Sequence, residues 1–249
     1  MLNILITGSN GFIGKNLIQA LAKNSKVNIL TFTRENSLAD LEEVIKKSDF
    51  ICHLAGEVRP HSSDDDFNAS NVLLTQSIVE ILERLNKKVP ILLTSTIHAK
   101  LLKNEYGKSK RVSETLIEEY SKGNDVKCFI YRLPHVFGEG CKANYNSVIS
   151  TWIYNSINNL EINVFDRSIE MHYAYVQDSI DEFLEIIESR DSTLYIEAKS
   201  VYQTTLGEVV DYIHEFKKNK NTNISFDNAF KQKLYQTYQD YEKRNISAN

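Results

Sequence analysis

Cysteine, proline and positive charge are all scarce in this sequence. Its three cysteines, Cys52, Cys128 and Cys141, stand far apart in no metal-ligand pattern, and its six histidines are scattered. That excludes a disulfide-stapled scaffold and a zinc ribbon, and makes a reducing cytoplasm the expected compartment. Lysine and arginine (29) are outnumbered by aspartate and glutamate (33), for a net charge of −4, so there is no electrostatic basis for nucleic acid as a partner. No apolar run approaches the roughly 20 residues that cross a bilayer. The apolar start Met1–Thr7 is too short for a secretory leader and runs straight into a glycine cluster. With 3 prolines and 9 glycines among 249 residues, each turn marker is informative. The hydrophobic 42% can bury a substantial core in one large α/β domain.

Apolar runs alternate with amphipathic stretches over the first half. Strands are expected at Leu2–Thr7, Val27–Thr33, Asp49–Gly56, Ile91–Ser95 and Val126–Tyr131. Helices are expected at Ile13–Lys23, Leu38–Lys47, Asn71–Asn86 and Glu105–Ser121. This rhythm describes a doubly wound parallel sheet covered on both faces, an α/β fold of the Rossmann type. Beyond Pro134 the rhythm loosens. Helices at Tyr145–Asn158, Ser179–Ser189, Leu206–Lys218 and Phe230–Lys243, with short strands at Ile162–Phe165 and Tyr173–Val176, read as a small C-terminal substrate lobe packed on the sheet. The chain 1–249 is then a single domain, with 1–135 mainly the dinucleotide-binding sheet and 136–249 mainly the lobe and C-terminal helices.

Two motifs carry chemistry. Gly8-Ser9-Asn10-Gly11-Phe12-Ile13-Gly14 follows a strand and opens a helix, where such a turn holds a dinucleotide diphosphate against helix N-terminal amides. Gly8, Asn10, Gly11, Phe12, Ile13 and Gly14 are the expected cofactor loop. Downstream, Tyr106-Gly107-Lys108-Ser109-Lys110 places a phenol and an ammonium one helical turn apart. Lys110 is expected to favour the Tyr106 phenolate and to hold the nicotinamide ribose. A third hydroxyl belongs at the end of the preceding strand. Thr94-Ser95-Thr96 offers three, of which Thr96 lies nearest the carboxyl edge where open sheets bind ligands. Cofactor choice turns on the end of the second strand. Arg34 there suits the 2′-phosphate of NADPH, while Glu35 leaves NAD open.

With His53-Leu54-Ala55-Gly56, these segments resemble the extended short-chain dehydrogenase/reductase superfamily, the epimerase/dehydratase enzymes. Within it the chain is most similar to the reductase domain of capsular polysaccharide UDP-4-keto-6-deoxy-amino-sugar reductases of the UDP-N-acetyl-L-fucosamine pathway. The carrying segments are Leu54–Pro60, Tyr131–Gly138, Cys141–Ile149, Asp166-Arg167, Thr205–Val210 and Leu234–Tyr238. The resemblance implies NADPH-dependent reduction of the C4 ketone of a nucleotide-linked sugar, in capsule or O-antigen sugar biosynthesis. It casts Thr96 as orienting the carbonyl, Tyr106 as the proton donor, and Lys110 as its partner on the ribose. Leu54, Ala55 and Gly56 would line the adenosine side, and Pro134, His135 and Val136 the nicotinamide. Arg59 and Arg167 would meet the UDP diphosphate, and His135, Asn144, Asn146 and Ser147 the sugar or phosphate. A homodimer through the helices Asn71–Asn86 and Glu105–Ser121 follows by the same analogy. Those relatives continue into a C-terminal cupin domain that performs a separate epimerisation; this sequence stops at Asn249, where that domain would begin, and the cupin's own function is withheld from it.

Three other functions compete. A 4,6-dehydratase wants an acid–base pair straight after the strand hydroxyl, where this chain has Ile97-His98. A 4-epimerase uses the same tyrosine and lysine but keeps its NAD, and Arg34 speaks against that. A non-catalytic dinucleotide-binding paralogue needs the glycine loop and has no use for Thr96, Tyr106 and Lys110 together.

Overall fold

A computed structural model describes residues 1–57, 68–145, 147–189, 193–219 and 224–248. They form two compact units, one of Met1–Leu133 with Ile180–Lys199, the other of Pro134–Ser179 with Ser200–Asn249.

The first unit is a six-stranded parallel sheet. In chain order it holds β1 (Leu2–Thr7), α1 (Phe12–Leu21), β2 (Val27–Phe32), α2 (Leu38–Lys47) and β3 (Phe50–His53). A π-type turn over Asn68–Leu73 runs into α3 (Leu74–Arg84), followed by β4 (Ile91–Thr96), a short α4 (His98–Leu101), α5 (Glu105–Asn124) and β5 (Phe129–Leu133). The strand order is β2-β1-β3-β4-β5, closed by β8 (Tyr195–Glu197) at the far edge. The chain moves one way from β1 to β2 and the other way from β3 onward. The carboxyl ends of β1 and β3, paired as Thr7↔His53, therefore flank the switch point where such sheets bind ligands. Strand residues Leu5, Ile51, Leu93 and Ile130 are fully buried against Leu41, Ile45, Ile78, Leu82 and Ile117 of the helices. That two-sided burial is why the strands read as nearly unbroken apolar runs.

The second unit holds β6 (His135–Phe137), α6 (Val148–Ile157), β7 (Glu170–Tyr175), β9 (Tyr202–Thr205), α8 (Leu206–Lys218) and α9 (Ala229–Ala248). The helix α7 (Val176–Ser189) begins in this unit and ends in the first. Its three-stranded sheet runs β6-β7-β9, and its core is aromatic, with Tyr173 and Phe230 stacked at 5.9 Å and Tyr238 edge-on to Phe216. The strand expected at Ile162–Phe165 does not form. Both edges of β7 are already taken by β6 and β9, and Ile162 and Val164 instead pack as side chains on the aromatic core. Three pairings without a legible period, β6, β8 and β9, appear in their place. All three cysteines are reduced and buried. No described helix is long and apolar enough to cross a membrane.

Candidate active site

The glycine cluster follows β1 directly. Gly8 has φ +69°, a left-handed conformation, and a Cβ on it would meet the Ala55 amide nitrogen at 2.7 Å. A Cβ on Gly14 would lie 2.4 Å from the Gly8 carbonyl oxygen. Side chains at either position would push the turn off the ends of β1 and β3. Gly11 is the N-cap of α1. It offers no side-chain cap, and the first helical turn has no acidic residue. The leading amides of α1 thus keep the unsatisfied donors that a diphosphate takes up. This uncapped turn fits a dinucleotide, with Asn10, Phe12 and Ile13 at its rim.

Beside it, the floor at Leu54-Ala55-Gly56 is fixed by a buried hydrogen-bond chain. The Ala55 amide donates to Thr7 Oγ1 (3.2 Å), which lies 2.7 Å from His53 Nδ1; His53 Nε2 lies 2.9 Å from Thr75 Oγ1, which donates to the Asn71 carbonyl (2.6 Å). Each hydroxyl has a single proton, so the imidazole must carry its own on Nε2. Burial first, and the Lys110 charge second, hold the His53 pKa down at about 3. His53 is structural, as a neutral link. Asn71 continues the network: its Oδ1 accepts from the Glu57 amide (2.9 Å), and its Nδ2 donates to Ser109 Oγ (3.0 Å), which donates in turn to the Tyr106 carbonyl.

Tyr106 enters on the first turn of α5, whose N-cap Asn104 accepts from the Gly107 amide. Thr96, the last residue of β4, acts on the Tyr106 hydroxyl against the effect of burial, and Thr96 Oγ1 accepts from the His98 amide at 3.2 Å. Thr94 turns to the His53 carbonyl and Ser95 to Glu114. Of the three strand hydroxyls, Thr96 therefore meets the phenol. Lys110 is buried, one helical turn on, and a Cβ on Gly56 would be 3.7 Å from its Nζ. No salt bridge among the described residues holds it, and burial lowers its pKa to about 8 against an opposing pull from Glu114. For Tyr106 burial dominates and pushes the phenol up to about 12, with Thr96 opposing. Below that pH the phenol keeps its proton.

Other expected residues have different surroundings. Arg34 is exposed and lies 3.7 Å from the buried carboxylate of Glu57. Arg167 places one guanidinium nitrogen 2.7 Å from both oxygens of Asp211 and donates to the Gly207 carbonyl, which engages it at the surface of the second unit. Ser147 uses its hydroxyl to cap α6 through the Ser150 amide. Asn144 sits at φ +55°, with its amide donating to Thr151. His135 opens β6 and is exposed, with Pro134 before it and Val136 after it paired to Ala174 of β7. Arg59 and Asn146 lie outside the described residues. Sequence reasoning missed Asn71 and Glu114. Glu114 could have been found, because it repeats the four-residue spacing of Tyr106 and Lys110 on the same helix face.

The chain is 34% identical over 242 residues to a UDP-2-acetamido-2,6-beta-L-arabino-hexul-4-ose reductase of Pseudomonas aeruginosa, covering 95% of this chain and 64% of that protein. A crystal structure of the capsular polysaccharide assembling protein CapF from Staphylococcus aureus superposes with a TM-score of 0.86 at 38% identity, over 96% of this chain and 65% of that one. The chain therefore spans just under two thirds of the length of each. A Bacillus cereus UDP-glucuronic acid 4-epimerase, at 17% identity and a TM-score of 0.84, shares the fold. A model of the NAD dependent epimerase/dehydratase family matches residues 4–196; the chain belongs to that family.

Proposed function

We propose that this chain is an NADPH-dependent reductase of the C4 ketone of a UDP-linked 4-keto-6-deoxy sugar, serving bacterial capsule or O-antigen sugar biosynthesis. The observation that carries the reading is the convergence of Thr96, Tyr106 and Lys110 behind an uncapped glycine turn. The reductase named among its relatives supports the substrate class. Gly8 to Gly14 and Leu54 to Gly56 would hold the dinucleotide, with Arg34 on the 2′-phosphate. Bound NADPH supplies a hydride for C4.

The protein's own part is proton delivery. Thr96 donates to the ketone oxygen, polarising the carbonyl. Tyr106 gives its hydroxyl proton to the oxygen as negative charge develops there. A phenol held near 12 is in the donor form throughout the neutral range. That suits reduction better than the base role that opens an epimerase cycle. Lys110 stands ready to stabilise the phenolate left behind and to bind the nicotinamide ribose. His135, Asn144, Asn146 and Ser147 are assigned to the sugar side, and Arg59 and Arg167 to the diphosphate. For Arg167 this requires release from Asp211. A cytoplasmic homodimer built on α3 and α5 completes the reading.

Incubation of the purified chain with UDP- and dTDP-linked 4-keto-6-deoxy sugars tests it by the fall in NADPH absorbance. Stoichiometric consumption with one of them is expected. Tightly retained NAD with no net consumption would instead identify an epimerase.

A further inference from the structure

Glu114 has no part in the proton transfer just described, yet it is fully buried on the same face of α5 as Tyr106 and Lys110. Its Oε1 accepts from Ser95 Oγ at 2.6 Å and from Arg132 Nε at 2.8 Å; its Oε2 accepts from Arg132 Nη2 at 2.6 Å and Arg111 Nη1 at 3.0 Å. Ser95 and Arg132 are register partners on β4 and β5, one step before the pair Thr96↔Leu133. One carboxylate therefore grips two adjacent strands at their carboxyl ends from the helix that carries the phenol and the amine. Behind it, the Arg132 guanidinium lies 4.3 Å over the Tyr195 ring, and Arg111 also bonds Glu118 and the Tyr195 hydroxyl.

Packing alone does not call for this. Most of the neighbouring helix–sheet packing is made by Ile, Leu and Val, and a well-packed apolar cluster in place of a buried ion network is often as stable. What four charge-assisted hydrogen bonds add is a fixed distance and direction. We propose that Glu114 is a positioning residue, which sets the placement of Thr96 on the strand end relative to Tyr106 and Lys110 on the helix. The inference rests on the reductase reading above for its kinetic readout.

Its charge has a second effect. Among the described residues, Glu114 of its own helix acts on Lys110, with Arg132 and Arg111 behind it, and Lys110 in turn faces His53 of β3. His53 is neutral, and among the described residues Glu114 favours the ammonium, against burial. Without it, two arginines remain and Lys110 gives up its proton at lower pH.

The test uses the full chain and three variants. Steady-state kinetics with NADPH and the keto sugar are combined with NMR titration of Lys110 in protein labelled with ¹³C-lysine, assigned through Lys110→Met. Glu114→Gln is expected to lower kcat about tenfold or more, as small misplacements of catalytic groups do, with KM little changed. It also moves the Lys110 titration downward by about one unit. Glu114→Asp retains the charge but cannot span the gap, so kcat falls while the titration stays in place. Ser95→Ala removes one contact and lowers kcat by a smaller factor. Wild-type kcat in both Glu114→Gln and Ser95→Ala overturns the proposal, whatever happens to thermal stability. If Glu114→Gln does not fold, Ser95→Ala decides by its kcat. If the wild type reduces none of the sugars, the reductase reading fails, and crystal structures of Glu114→Asp and Ser95→Ala still decide this inference: Thr96 displaced from Tyr106 supports it, and an unchanged Thr96–Tyr106 separation in both overturns it.

Discussion

Tyr106 and His53 illustrate opposite uses of burial. For Tyr106, removal from water keeps the proton on a group assigned to give it away. Tyr106→Phe should lower kcat by roughly 10² to 10⁴, the usual worth of a positioned proton donor. NADPH binding, followed by the cofactor's own fluorescence, should change by less than about threefold if the tyrosine acts mainly on the sugar oxygen. His53 is buried as a neutral link. Its pKa is about 3 in the fold and near 6.5 unfolded. Between those values the unfolded chain binds the extra proton, so stability falls as pH drops through that window and is untouched above it. The slope from this residue approaches about 1.4 kcal/mol per pH unit. Urea unfolding of His53→Gln between pH 4 and 7 should show a flatter dependence than wild type. An unchanged slope would mean that His53 is hydrated in the native state.

Elements in this protein are fastened at their ends. The capping box of Ser37 and Asp40 starts α2, and Lys87 finishes it, its ammonium donating to the carbonyls of Ile45 (3.0 Å), Lys46 (2.7 Å) and Ser48 (2.5 Å). Lys87→Met should cost about 1.5 to 3 kcal/mol, as charged hydrogen bonds do. Chemical denaturation would show that loss, with kcat unaltered. The glycine turn is different, because its backbone has no room. Gly14→Ala must displace the Gly8 carbonyl and should weaken NADPH binding by tenfold or more, measured by fluorescence titration.

The same contrast explains what could be read before the fold was known. Strands and helices from β1 to β5 were legible because short unbroken apolar runs alternate there with amphipathic helical stretches. The switch-point glycines were legible because few residue types tolerate that turn. β6, β8 and β9 were not, since three or four residues establish no period and their pairing is decided by partners distant in sequence. Ile162–Phe165 shows the converse error, an apolar pattern whose side chains pack on the aromatic core without joining the sheet. Likewise Arg167 could be recognised as a cation, but only the fold reveals that Asp211 lies beside it.

At the scale of the molecule, the family fold leaves the choice of dinucleotide to a few side chains at the end of β2. Anything that binds the native state alone raises its stability, by about 2.7 kcal/mol at a hundred times Kd. NADPH should therefore raise Tm more than NADH at equal concentration, and Arg34→Ala should remove most of that difference. Equal shifts from both in the wild type would withdraw the assignment of Arg34 to the 2′-phosphate.

The sixth strand has a further consequence. β8 pairs with β5 through Ile130↔Tyr195 and Arg132↔Glu197, yet it is separated from β5 by much of the second unit. During synthesis on the ribosome, the nascent sheet must wait with β5 as a bare border until residue 199 of 249 has emerged. Over that interval β5 offers a template to any passing strand. A truncation after Leu133 would make that vulnerability permanent.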